Sequence, residues 1–153
     1  MRNQRVHQLV TADIWTLAEG EADTGPYILR FREPVLKDSD TSGYDHCLRI
    51  VWIYANENSG ALPEDDDSSA MATFEDRVCE ALELDLLGAL VAVLTFDGAR
   101  QWVFYTFDVA ECVKRINQMP QEEDRYPIEL DVFTDPGWSY LRTEILANVD
   151  GGE

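Results

Sequence analysis

Residues 90–107, LVAVLTFDGARQWVFYTF, hold two β-rich runs, Leu90–Phe96 and Gln101–Phe107, close to either side of Asp97-Gly98. Asp-Gly between such runs predicts a tight hairpin, because the primed turn that matches strand twist needs positive φ. Downstream, Asp108 and Glu111 have the spacing of a helix cap, and Val109, Cys112, Val113 and Ile116 recur at helical spacing until Pro120 stops them. Upstream, Phe74, Val78, Ala81 and Leu82 make a second helical stripe, with Glu75, Asp76, Glu80 and Glu83 turned to water. That helix is expected to begin near Ser69–Thr73, with Thr73 and Asp76 as its capping box, and to stop near Gly88.

Further strands flank these elements. Cys47–Tyr54 (CLRIVWIY) is the most continuous apolar run and the best central strand, and Ile128–Thr134 (IELDVFT) is the last. Asp13–Ala18 and Tyr27–Arg32 read as a hairpin around the turn-forming stretch Glu19–Gly25, with Pro34 ending it. Alternation in the second of these puts Ile28, Arg30 and Arg32 on one face and Tyr27, Leu29 and Phe31 on the other. The last six elements run β-α-β-β-α-β, the order of ferredoxin-like sandwiches. Right-handed crossovers place both helices on one face, with strands 47–54 and 101–107 central and strands 90–96 and 128–134 outside them. The expected fold is α+β: a ferredoxin-like sandwich preceded by an extra N-terminal β-hairpin, mostly antiparallel, with two helices on one face and the other face open. Residues 1–12 read as a loosely held leader, 13–148 as a single domain and 149–153 as a flexible tail. Residues 37–45, 55–69 and 121–126 read as polar or charged loops.

The chain has 153 residues, 45% of them hydrophobic and 10% aromatic, which is ample for one core and too aromatic for a disordered segment. Against 12 Lys+Arg stand 30 Asp+Glu, a formal charge of -18. Such a field repels phosphate backbones, so neither nucleic acid nor an anionic membrane is an expected partner; a basic protein surface is. Charge of this size also serves solubility alone. No apolar window of about 18 residues exists to span a bilayer, and the start lacks a secretory signal. Cys47, Cys79 and Cys112 are odd in number and none lies in a CxxC, which reads as buried reduced thiols in a cytoplasm.

No GxSxG, P-loop, GxGxxG or HExxH pattern is present, so no catalytic residue, metal site or cofactor is expected. His46 and Cys47 are strand neighbours pointing to opposite faces and do not form a nucleophile–base couple. Asp65-Asp66-Asp67 lacks the ligand spacing of an EF-hand and reads as a solvated charge run. Arg30, Arg32 and Arg49 sit on strands, where a charge needs a partner or water. They form either an ion-pair lattice, with Glu129 and Asp131 available to meet them, or a platform for an acidic group or a peptide. Trp52, Tyr54, Trp102, Tyr105 and Phe107 read as core packing rather than a base-stacking surface, because basic residues are missing beside them. Asp135-Pro136-Gly137-Trp138 has the chemistry of a type II turn, with Trp138 folding back over the core.

Three stretches resemble the DUF695 family, a domain family without an established activity. They are Gly25–Arg32 (GPYILRFR), Leu94–Tyr105 (LTFDGARQWVFY) and Asp135–Tyr140 (DPGWSY), spread over about residues 13–142. The resemblance implies no catalytic residues. Members of that family occur joined to a domain resembling an acidic protein inhibitor of ribonuclease E, which implies a regulatory binding role by analogy. The expected function is thus a non-enzymatic binding module contacting a protein partner, or a second copy of itself, through its open sheet face. Arg30, Arg32 and Arg49 would lie on that face, with Arg100, Trp102 and Trp138 at the rim. The alternative is a small-molecule binder or hydrolase using carboxylates and arginine in a pocket near Asp135.

Overall fold

The computed structural model describes residues 4–22, 25–33, 36, 40–41, 43–54, 65–96, 98–119 and 128–145. Its elements are α1 (Gln4–Ala12), β1 (Ile14–Ala22), β2 (Gly25–Glu33), β3 (His46–Ile53), α2 (Asp65–Glu83), β4 (Gly88–Phe96), β5 (Ala99–Thr106), α3 (Val109–Gln118) and β6 (Ile128–Thr134), closed by one π-type helical turn, Leu141–Ile145. The strands form one open six-stranded sheet in the order β1-β2-β4-β5-β3-β6, antiparallel at every pairing. The protein is a mixed α+β domain. β3 and β5 lie side by side between β4 and β6, and the first hairpin extends the sheet beyond β4, so the complete strand order is not that of a simple four-stranded ferredoxin sheet.

Local chemistry explains several elements directly. Phe96 pairs with Ala99 across the two-residue connection, and Gly98 has φ +82°, the left-handed region that the hairpin needs. Asp108 caps α3 by accepting the Glu111 N–H at 3.1 Å, and Cys112 and Ile116 are the buried part of its stripe. β6 spans Ile128–Thr134, as its alternation requires.

Other elements depart from the sequence expectation. β1 runs on to Ala22, because Gly20, Glu21 and Ala22 find partners in Tyr27, Pro26 and Gly25, and a paired neighbour overrides weak strand propensity. α2 begins at Asp65, so Thr73 lies inside it and caps nothing; the apolar stripe reaches back to fully buried Met71. It ends at Glu83, and Gly88 opens β4 instead of stopping the helix; the chain reverses at Leu86, where φ is +61°. Residues 4–12, expected to be loosely held, are helical and bury Val6 and Leu9. The expectations for residues 55–64, 121–126 and 149–153, and for Pro34, Asp97 and Pro120, lie outside the described residues.

Both sheet faces are packed. On the front face, α2 and α3 cover Leu48, Ile50, Trp52, Leu90, Val93, Trp102 and Phe104. On the back face, α1, Leu36, Tyr44, Trp138 and the C-terminal turn cover Cys47, Ala89, Val91, Ala92, Val103 and Tyr105. The open face expected opposite the two helices is therefore closed over β4 and β5. The reason is chemical: Val6, Leu9, Trp138, Leu141 and Ile145 are apolar groups from the two ends of the domain, and they find on that face the apolar surface they need to leave water. What remains uncovered on the back is the β3–β6 margin, with Arg49 and Val51 half-buried and Glu129 and Asp131 exposed.

Candidate functional site

The seven candidate residues separate onto the two faces. Register puts Arg30, Arg32, Arg100 and Trp102 on the front, under or beside α2, and Arg49, Asp135 and Trp138 at the back. They do not make one arginine-lined platform. Trp102 and Trp138 are not rim residues either; both side chains are fully buried.

At the front, Glu75 of α2 is a shared acceptor. Its Oε1 takes an Arg30 Nη2 bond at 2.6 Å and the Trp102 Nε1 bond at 2.9 Å. Two turns further along α2, Glu83 meets Arg32 at 2.6 Å, and Arg32 also donates to the Leu90 carbonyl at 2.9 Å and to Asp13 at 2.8 Å. Trp15 of β1 lies beneath both cations, 5.5 Å from Arg30 and 4.9 Å from Arg32. Burial of Arg32 works against its charge, but Glu83 and then Asp13 outweigh that and hold its pKa above the ordinary value. Only its Nε is buried without a partner among the described residues. Arg32 therefore clasps β2, the end of α2 and the α1–β1 junction.

Arg100, on β5, differs. Its Nε donates to Thr95 Oγ1 at 2.8 Å, and no carboxylate among the described residues pairs with it. Burial, then the nearby Arg30 cation, lowers its pKa from the ordinary value.

At the back, Asp135 organises the chain after β6. Its carboxylate accepts from the Tyr105 hydroxyl at 2.7 Å, the Tyr140 N–H at 2.8 Å and the Ser139 N–H at 3.1 Å. The turn closes through Trp138 N–H to Asp135 C=O at 3.1 Å, with Gly137 at φ +82°, the value a type II turn demands. Trp138 then takes φ +59°, donates from Nε1 to the Tyr44 carbonyl at 2.8 Å and stacks on Tyr105 with centroids 4.5 Å apart. Burial first, then Cys47 and Asp135, holds the Tyr105 phenol far above its usual range, so it serves as a neutral donor. Arg49 stands apart on the uncovered margin, bonded to Asp131 at 2.6 Å and to Gln101 at 2.8 Å, with its guanidinium over Tyr140.

All three cysteines are free; burial pushes Cys47 up to about 12 and Cys112 up to about 11, and raises Cys79 as well. Among the described residues, no group of three or more His, Cys, Asp or Glu side chains is placed to hold a metal ion.

One feature escaped sequence reasoning. A surface groove of about 450 Å³ is lined by His46, Phe107, Asp108, Val109, Val132, Phe133 and Thr134. It adjoins β6, the terminal strand of the sheet, whose Val132 is 45% and Leu130 36% exposed. The available signal was the alternation of Leu130 and Val132 with Glu129 and Asp131 on a strand already expected to lie outside its neighbours.

The fold and these clusters define a small acidic α+β domain stapled through buried arginine and aspartate side chains, with no helix long and apolar enough to cross a membrane among the described residues. The chain belongs to the family of unknown function DUF695, whose model matches residues 13–143. No curated protein and no solved structure matches it.

Proposed function

We propose that this protein is a non-catalytic binding module that takes an extended segment of a protein partner along the outer edge of β6. The single observation that carries this is the composition of that edge. Among the described residues β6 is laddered only to β3, and a terminal strand offers unpaired backbone donors and acceptors to an incoming strand. Its front side presents exposed Leu130 and Val132, leading into the groove beside Phe107, and its back side presents Glu129, beside an Asp131 that is bonded to Arg49 but still exposed. A complementary strand alternates apolar and basic residues. A second copy of this chain would set acidic β6 side chains against one another, and like charges directly opposite are unfavourable. The overall charge of -18 acts in the same direction at longer range. Asp135, the centre of the alternative reading, is already engaged by Tyr105, Ser139 and Tyr140.

Two finer assignments accompany this reading. The segment from β3 to β6 is a ferredoxin-like unit widened by β1 and β2, supported by the central placement of β3 and β5 between β4 and β6. The protein acts in the cytoplasm, supported by its three free thiols.

The test is titration of the isotopically labelled protein with an eight-residue peptide of alternating Leu and Lys, beside a block-ordered peptide of the same composition. Amide shifts confined to residues 128–134 and the groove, and weakened about tenfold or more in Val132→Lys, support the reading. Equal binding of both peptides, or shifts elsewhere on the surface, would overturn it.

A further inference from the structure

A half-buried guanidinium normally has a carboxylate beside it, and in a chain with 30 acidic side chains against 12 basic ones a carboxylate is easily found. Arg30, Arg32, Arg49 and Arg115 each have one. Arg100 does not. It lies in a row across the front face formed by Ile28, Thr95, Arg100, Trp52 and Ile128, one step along the strand from the row holding Arg30 and Trp102. Among the described residues, Glu75 is the carboxylate that acts on Arg100 electrostatically, and it already receives Arg30 and the Trp102 indole. Among the described residues, two cations thus face one anion at this corner, a local surplus of positive charge. Thr95 engages the Nε of Arg100, and no described residue is bonded to its two Nη ends. That edge of a guanidinium offers parallel N–H donors matched to two oxygens of one anion. Trp52 of β3, itself buried, pairs directly across from Arg100 and adds apolar surface to this row.

We infer that Arg100, positioned by Thr95 and flanked by Arg30 and Trp52, is a binding subsite for a small oxyanion group, a carboxylate or a phosphate carried by a ligand. It is separate from the β6 edge and does not depend on it. The subsite selects by the bidentate fork: a ligand that places two oxygens in one plane gains both bonds, whereas a halide gains only charge.

The experiment follows the Arg Nε–Hε resonances of the full-length protein during titration with sodium acetate and, separately, inorganic phosphate, at constant ionic strength set with chloride. Arg100 Nε–Hε and the Thr95 amide shift saturably in the millimolar range while Arg32 and Arg49 stay fixed, and the tighter of the two anions names the group. Arg100→Lys keeps the charge but loses the fork, and weakens binding about tenfold. Arg100→Gln abolishes the saturable shift at Thr95. No saturable shift up to about 100 mM of either anion, far above the millimolar affinity of even a weak site, overturns the assignment. So does parallel drift of Arg32 and Arg49, the mark of screening alone.

Discussion

Arg32→Met is the sharpest perturbation of the front face, because Arg32 is the arginine on which binding and folding roles diverge most. The substitution preserves a long apolar stem and deletes the guanidinium. Lost with it are bonds to Glu83 at 2.6 Å, the Leu90 carbonyl at 2.9 Å and Asp13 at 2.8 Å. The Asp13 side chain is 61% exposed, and a pair of that kind is worth only about 0–1 kcal/mol. Glu83 is 13% exposed, and removing one partner of a buried pair strands the other, at a cost of about 3–5 kcal/mol. With a urea slope of about 2 kcal/mol per M, the unfolding midpoint falls by roughly 1.5–2.5 M. Adding Glu83→Gln removes the stranded charge, and its remaining carbonyl oxygen still accepts the Leu90 N–H that Glu83 takes at 2.7 Å. The double variant therefore regains about 1–2 kcal/mol over Arg32→Met alone, although Glu83→Gln by itself destabilises the parent. A loss under about 1 kcal/mol for Arg32→Met, or no recovery in the double variant, refutes the clasp, since breaking a buried pair costs several times that.

Tyr105→Phe removes the hydroxyl that donates to Asp135 and costs about 1.5–3 kcal/mol, read as a lower urea midpoint with unchanged slope. Arg100→Met leaves stability unchanged or raises it by up to about 1 kcal/mol, since it removes a desolvated cation that lacks a carboxylate among the described residues; a loss of that size would disprove the assignment of an unanswered charge. An aromatic disulfide reagent at about pH 8 labels Cys47 and Cys112 only as fast as the protein opens, since both are buried and burial raises their pKa values, whereas denatured protein reacts at once. The bond from Arg32 lowers the folded pKa of Asp13 below the usual carboxylate value, so its modest contribution is complete above about pH 4 and is lost as pH falls through the lower folded value. Asp13→Asn should flatten that part of the acid decline, and an unchanged decline would count against it.

What could be read in advance was local. Asp97-Gly98 and the Asp108–Glu111 cap act within a few residues, so chemistry and structure coincide there. The placement of β3 and β5 between β4 and β6 followed from chain connectivity. The faces did not follow. Alternation told that Arg30 and Arg32 share a side of β2, but which side meets α2 depends on the pairing of β2 with β4, where Leu29 stands opposite Leu94. Arg49, three strands away, falls on the other face through the β3–β5 register. The sequence QRVHQLVTA has too little apolar material to hold a nine-residue helix alone, and α1 exists because Val6 and Leu9 reach the back-face core. The groove joins residues 46, 107–109 and 132–134, which no local pattern connects.

The stretches that carry the family likeness are largely occupied in holding the domain together. In Gly25–Arg32, Arg30 and Arg32 bind Glu75 and Glu83 of α2. In Leu94–Tyr105, Gln101 receives Arg49, Trp102 donates to Glu75 and Tyr105 donates to Asp135. In Asp135–Tyr140, Asp135 and Trp138 lock the chain end onto Tyr105 and Tyr44. A side chain whose donors are consumed internally cannot also recognise a ligand without giving up a bond worth about 1 kcal/mol or more. Membership in the family therefore transfers an architecture, and activity has to be sought where bonding capacity is unspent. Among the described residues two places meet that condition: the outer edge of β6, whose backbone faces no further strand of the sheet, and Arg100, which lies in a family-like stretch yet spends only its Nε on the fold.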